Sequence, residues 1–207
     1  MMATTHALAG VVLAVLAGVL FPESAAGTSV IPVAAAALGG LFPDFDLYAG
    51  HRRTLHFPVY FSVAAVGAAL VAVATPTTIT VAAALFLAAA ALHSAMDALG
   101  GGLELKPWLG TSERAVYSHY HRRWIRPRRW VRYDGAPEDL FVAVAFAAPS
   151  VYVLDGVAQT AVVAAVAVSA LYVLVRKPMV LVTQKVVDAL PPRFVDRLPA
   201  RFVEDFR

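Results

Sequence analysis

Long apolar runs, interrupted by short polar or proline-marked stretches, fill most of the chain up to residue 175. Six stand out, at roughly residues 3–21, 28–42, 57–74, 77–99, 140–154 and 157–175. A membrane-spanning helix needs about 20 mainly apolar residues, with a range of about 17–25. The second and fifth runs are short on that measure. They reach it only by taking in Asp44 at one end or Glu138 and Asp139 at the other, which would draw polar groups to the membrane interface. Pro22, Pro76 and Asp155-Gly156 mark tight turns between the runs. The pattern predicts an all-α, polytopic transmembrane bundle of about six spanning helices. Beyond Arg176-Lys177-Pro178, Phe194, Leu198, Phe202 and Phe206 recur every fourth position against Arg193, Arg197, Arg201 and Asp205. This predicts short amphipathic helices lying on the membrane surface. Residues 1–175 therefore read as a membrane domain with a polar loop at 100–139, and 176–207 as a surface tail.

Composition agrees with that reading. Hydrophobic residues make up 59% of the 207 positions, charged residues only 15%, and the mean hydropathy is +0.68. Soluble domains carry about 25% charged residues. The absence of cysteine excludes disulfides and thiolate chemistry. Ser24-Ala25-Ala26 has the small residues of a signal cleavage site, but no Lys or Arg precedes Arg52. The basic segment of a secretory signal is missing, and the first helix is expected to be retained.

Charge placement fixes an orientation. Alternate threading of six helices brings residues 1–6, 43–56, 100–139 and 176–207 to one face. All 17 Lys and Arg fall there, and none falls in the turns on the other side. The positive-inside rule makes that face cytoplasmic, with both termini inside, and predicts a multi-pass protein of the cell membrane. Dropping one helix would scatter the basic residues over both faces.

The same threading gathers candidate ligands. His6 opens the first helix, Asp44 and Asp46 follow the second, His51 and His56 precede the third, and His93 and Asp97 end the fourth. His93 and Asp97 are four residues apart and share one side of their helix. Such residues in an apolar helix are costly unless paired or liganded. Each has an ordinary explanation by itself, as a turn residue, a cap or a headgroup-facing cation. Together, seven imidazoles and carboxylates from four stretches point to a divalent metal, Zn or Mn, in a site large enough for two ions.

At these residues the chain resembles the family of predicted membrane-bound metal-dependent hydrolases, which includes proteins described as LexA-binding inner-membrane hydrolases. The resemblance rests on Thr5-His6-Ala7-Leu8-Ala9-Gly10, Leu41-Phe42-Pro43-Asp44-Phe45-Asp46, Gly50-His51-Arg52 through His56, and His93-Ser94-Ala95-Met96-Asp97 followed by a glycine-rich turn and Pro107. These pieces cover the first half of the chain, and the extra C-terminal segments are similar to an archaeal-type branch. Two departures occur. Arg53 and Phe57 stand where the family has small residues, and Leu47 where a histidine often follows the second aspartate. The resemblance implies a hydrolase. The His-x-x-x-Asp spacing is also similar, by analogy, to that of helical zinc phospholipases C and related nucleases.

The expectation is a hydrolase that cleaves a phosphoester of a lipid, or of a lipid-linked or small molecule, with a metal-activated water. Asp97 and Asp46 are its expected catalytic carboxylates, and Asp46 or Glu104 would serve as general base. Arg52, Arg126 and Arg129 are candidate substrate contacts. The stretch 114–133 interleaves arginines with Tyr117, Tyr120, Trp124, Trp130 and Tyr133, a mixture suited first to anionic lipid headgroups. Nucleic-acid binding ranks well below that. Two other classes stay open: a non-catalytic regulator tied together by metal, and a transporter using His93 and Asp97. The second is disfavoured because the far face carries only Glu23 and Asp155.

Overall fold

The computed structural model describes residues 1–20 and 29–191. The proposed turn around Glu23 and the repeat Phe194, Leu198, Phe202 and Phe206 lie outside the described residues. Six α-helices dominate: α1 (Ala3–Leu20), α2 (Val30–Leu41), α3 (Pro58–Ala74), α4 (Thr78–Leu99), α5 (Pro137–Val153) and α6 (Gly156–Ala189). Proline occupies the first turn of α3 and of α5, where its missing N–H has no intrahelical partner to lose. A capping box between Thr77 and Thr80 opens α4.

α1 is the axis of the bundle, in contact with α2, α4, α5 and α6. Leu8, Val11, Ala14 and Val15 of α1 meet Val33 and Ala36 of α2, Leu85 of α4, Ala143 and Ala147 of α5, and Val162 of α6. Glycines set the closest approaches. A Cβ at Gly10 would strike the backbone carbonyl of Ala36, and one at Gly40 that of His6. The pairings 10 with 36 and 40 with 6 make α1 and α2 antiparallel. Such contact between helix backbones is characteristic of packing in lipid, where small residues replace a hydrophobic drive.

The outer surface is apolar. α3 buries no residue fully, and Val63, Val66, Leu70 and Val73 are each more than 60% exposed. Thr5, His6, Asp46, His56, His93, Asp97 and Asp139 are meanwhile almost wholly buried. Polar residues inside and apolar residues outside suit a chain surrounded by hydrocarbon. Among the described residues, α1, α4 and α6 are long and apolar enough to cross a membrane, and α3 is a shorter apolar helix. At 12 residues α2 is about 18 Å long, well short of a hydrocarbon core of about 30 Å. By length alone, then, three helices rather than six meet the expectation from the sequence.

Two further expectations change. The sixth helix does not end near residue 175; it continues through Arg176-Lys177-Pro178 to Ala189. Loop residues clasp it on both sides of Pro178, through Arg176 to Asp134 at 2.9 and 3.2 Å and Lys106 to Gln184 at 2.6 Å. The fold is also not purely helical, because the polar loop carries an antiparallel hairpin of β1 (Val116–Ser118) and β2 (Arg123–Ile125).

Candidate metal centre

The start of α1, the end of α2, the entry to α3, the end of α4 and the start of α5 meet at one end of the bundle. Asp139, at the start of α5, anchors this end. Its carboxylate accepts from Met2 N at 2.7 Å, Thr5 Oγ1 at 2.7 Å and Gly135 N at 3.1 Å. α2 runs into a short 3-10 turn, Phe42–Asp46, whose Pro43 directs the chain away from the helix axis. That turn aims Asp44 at His93 and buries Asp46 beneath the loop that carries His51 and His56.

Asp44, His56, His93 and Asp97 each offer one ligand atom, and all four atoms lie within 4.8 Å of one another. His56 Nε2 is 3.1 Å from His93 Nε2 and 3.1 Å from Asp97 Oδ2. His93 Nε2 is 3.4 Å from Asp97 Oδ2 and 3.5 Å from Asp44 Oδ1. Tetrahedral coordination with metal–ligand distances of about 2.0–2.2 Å separates ligand atoms by roughly 3.3–3.6 Å. These four of the six pair spacings lie in or slightly below that range, and the other two, from Asp44 to His56 and to Asp97, are within 4.8 Å.

Hydrogen bonding on the far side of each ring decides what the cluster can hold. His93 Nδ1 lies 2.6 Å from the carbonyl oxygen of Gly40. A carbonyl only accepts, so Nδ1 carries the proton. His56 Nδ1 likewise donates to Asp46 Oδ2 at 3.0 Å. In the neutral rings both Nε2 lone pairs then face each other and two carboxylates. A cation at the centre relieves that repulsion. The buried Asp/His cluster fits a metal ion, and its outer hydrogen bonds are those that orient metal-bound histidines.

The other predicted residues surround these four. Asp46 stands behind them, hydrogen-bonded to His51 Nδ1 at 3.1 Å, to His56 and to the backbone N–H groups of Arg52, Arg53 and Leu55. Burial acts to raise its pKa, yet the bonds from His51, His56 and Leu55 hold it well below the usual carboxylate range. For Asp44, burial is likewise outweighed by His93, and the pKa falls to about 2. Burial lowers and the two carboxylates raise His56, with a net upward result. His6 stacks on His93 with ring centroids 3.7 Å apart, and its Nε2 lies 3.2 Å from Asp97 Oδ1. His51 sits at the rim, with 28% of its side chain exposed.

Arg52 is buried and places Nε 3.4 Å from Asp97 Oδ2, while Nη1 donates to the carbonyl of Gly101 at 2.7 Å. Its backbone lies in the left-handed region, at φ 59°, an uncommon conformation for a side chain of this size. Hydrogen bonds to Asp46 and Gly101 and the ion pair with Asp97 hold it there. Arg126 and Arg129 are not brought to the centre. Arg126 is 82% exposed and pairs with Glu113, and Arg129 clasps the carbonyls of Gly110 and Ser112. His119 hydrogen-bonds to the carbonyl of Arg53 and packs on Phe57, bracing the loop from outside.

Next to the cluster lies a cavity of about 450 Å³, bordered by Asp44, His51, Arg52, Glu104, Tyr172 and Arg176 among others. Glu104 Oε1 accepts from Ser112 N at 3.2 Å, and its buried Oε2 has no hydrogen-bond partner among the described residues. Across the cavity, Asp134 joins Arg176 and the Tyr172 hydroxyl. Burial raises the Asp134 pKa, but Arg176 outweighs it and the net shift is downward. The anchoring role of Asp139 and the Gly40 carbonyl were not foreseen from the sequence. A buried acid one residue beyond the Pro-Glu start of α5 was the available signal for the first; a backbone oxygen leaves none. No protein-family model, curated protein or solved structure matches the chain.

Proposed function

We propose that the chain is an integral-membrane, metal-dependent hydrolase that cleaves a phosphoester of a lipid or lipid-linked substrate at the cytoplasmic face. The observation that carries this reading is the open side of the cluster. Asp44 belongs both to the four-ligand group and to the cavity wall, and His51 and Arg52 continue that wall. Ligands closed on all sides suit a structural ion, whereas a catalytic one keeps a position for water or substrate. The motif resemblance supports the same class. Zn or Mn, as one ion or two, suits the imidazole and carboxylate donors.

A bound divalent ion would polarise water and a phosphoryl oxygen. Asp46 and the Gly40 carbonyl hold the two imidazoles in the tautomer that presents Nε2. His6 and Arg52 fix the Asp97 carboxylate from either side. Asp46 already accepts from five donors, so Glu104, a residue of the cavity wall, is the carboxylate assigned to take the proton of the attacking water. Arg52 offers positive charge to the phosphoryl group at the cavity mouth. A screen of the reconstituted protein against phosphoester lipids, with chelator controls, tests the activity. Chelator-sensitive phosphate or headgroup release is the expected result, and its absence across a broad panel would favour a structural or regulatory metal protein.

The proposed topology has six passes with the centre inside. Its support is the alternation of helix direction in the bundle and the collection of basic residues at the end that holds the centre. In a chain without native cysteine, Glu23→Cys should react with an impermeant thiol reagent in intact cells and Arg126→Cys should not. Labelling at position 126 would overturn the orientation.

A further inference from the structure

A second cavity, of about 350 Å³, lies between α1, α2 and α6, and every described residue that borders it is alanine, valine or leucine. Its walls continue those of the cavity beside the metal centre. On α1, Thr4 borders the first cavity and Ala7, Leu8 and Val11 the second. On α6, Tyr172 and Val168 border the first, and Ala165, Ala161 and Ala158 the second. Steps of three and four residues keep each set on a single helix face. The two cavities therefore follow one another along one track, the α1–α6 seam. The hydrogen bond from Ser169 Oγ to Thr4 Oγ1, at 2.7 Å, crosses the seam at the level between them.

Polarity changes along the track. At the upper end are Asp44, Arg52, Glu104 and Arg176, beside the candidate ligands. Below Thr4 no polar side chain among the described residues borders it. From Thr4 to Val11 the apolar part runs about 10 Å along α1. Water gains no hydrogen bonds from such a lining, and a channel for a polar solute would need donors and acceptors along its length. A hydrocarbon chain fits both the lining and the surrounding bilayer.

We infer that this track binds one membrane phospholipid, with its phosphoester in the polar cavity at Arg52 and Asp44 and one alkyl tail in the apolar groove between α1, α2 and α6. The inference rests on the hydrolase reading for the orientation of the headgroup, and it assigns the tail site by itself. Ala158 and Ala161 are then specificity-determining positions, because their small side chains leave the room that the tail occupies.

The test uses the full-length protein in vesicles that contain phosphatidic acid with a photoactivatable diazirine in mid-chain, and it does not depend on turnover. Cross-links should concentrate on the groove faces of α1 and α6. They should fall about tenfold in Ala161→Phe and in the neighbouring variant Ala158→Phe. Val163→Phe, which alters a lipid-exposed position of α6 outside the groove, should leave them unchanged. Two groove variants guard against one that fails to fold, and metal content reports on the fold of each. Labelling spread evenly over α3 and α6, or unaltered by both groove variants, would overturn the tail site. If a short-chain, water-soluble phosphoester is still hydrolysed under that outcome, the tail site fails while the hydrolase stands. Groove labelling in a protein that releases no phosphate from any substrate would sustain the tail site and refute the hydrolase.

Discussion

Asp44→Asn, His56→Ala and Asp97→Asn should each reduce chelator-sensitive phosphoester hydrolysis on the order of 10³-fold. Each removes or neutralises one of the four converging ligands, and groups that stabilise developing charge are worth about 10²–10³ apiece. The fall should appear in kcat, because the lost interaction is greatest in the transition state. Arg126→Ala is the contrast. That side chain projects to solvent and meets Glu113, so both kcat and KM should stay within about twofold, as expected of an exposed ion pair. His119→Ala should have a modest effect, since it touches the Arg53 carbonyl and Phe57 rather than a ligand. Steady-state kinetics of the five variants on one lipid substrate is the check. Equal losses in His119→Ala and His56→Ala would show that the boundary of the centre has been drawn in the wrong place.

Asp46→Asn should lower metal affinity by about 10–100-fold without removing a ligand. That is the usual consequence of disturbing the group that orients a metal-bound histidine. Here the carboxylate is buried and receives two imidazoles and three backbone N–H groups. An amide keeps one accepting oxygen and turns a donor toward several of those N–H groups, so the loop from Arg52 to His56 loses its anchor as well. Competition with a fluorescent chelator measures the affinity. Wild-type affinity in Asp46→Asn would mean that the loop is held by other contacts and that His56 needs no carboxylate behind it.

The sequence revealed most of the centre and rather less of its division of labour. All seven predicted imidazoles and carboxylates come to one end of the bundle, because apolar periodicity set the helix ends and alternation put those ends together. It did not separate Asp44 from Asp46. The two lie two residues apart on one 3-10 turn, and only the turn's path sends one toward His93 and the other under the His51–His56 loop. The same limit applies to the arginines. Arg52, Arg126 and Arg129 look alike as letters, yet one is buried against Asp97, one projects to solvent beside Glu113 and one holds two carbonyls of the polar loop. α6 was expected to end where charges begin, but side-chain bonds from distant loop residues Asp134 and Lys106 carry it onward. Those contacts have no local signature. The short β-hairpin escaped notice because its two three-residue strands are too short to show alternation.

Metal analysis of the purified protein tests the account at its centre. Protein extracted in detergent and passed through gel filtration in metal-free buffer should retain about one divalent ion per chain, or two if His6 or His51 joins a second site. The double substitution His56→Ala with His93→Ala should bring that to background while the helical content is preserved, because two of the four donors are gone. Wild-type protein that is folded and metal-free after reconstitution with zinc and with manganese, or a double variant that binds as much metal as wild type, would contradict the assignment of Asp44, His56, His93 and Asp97.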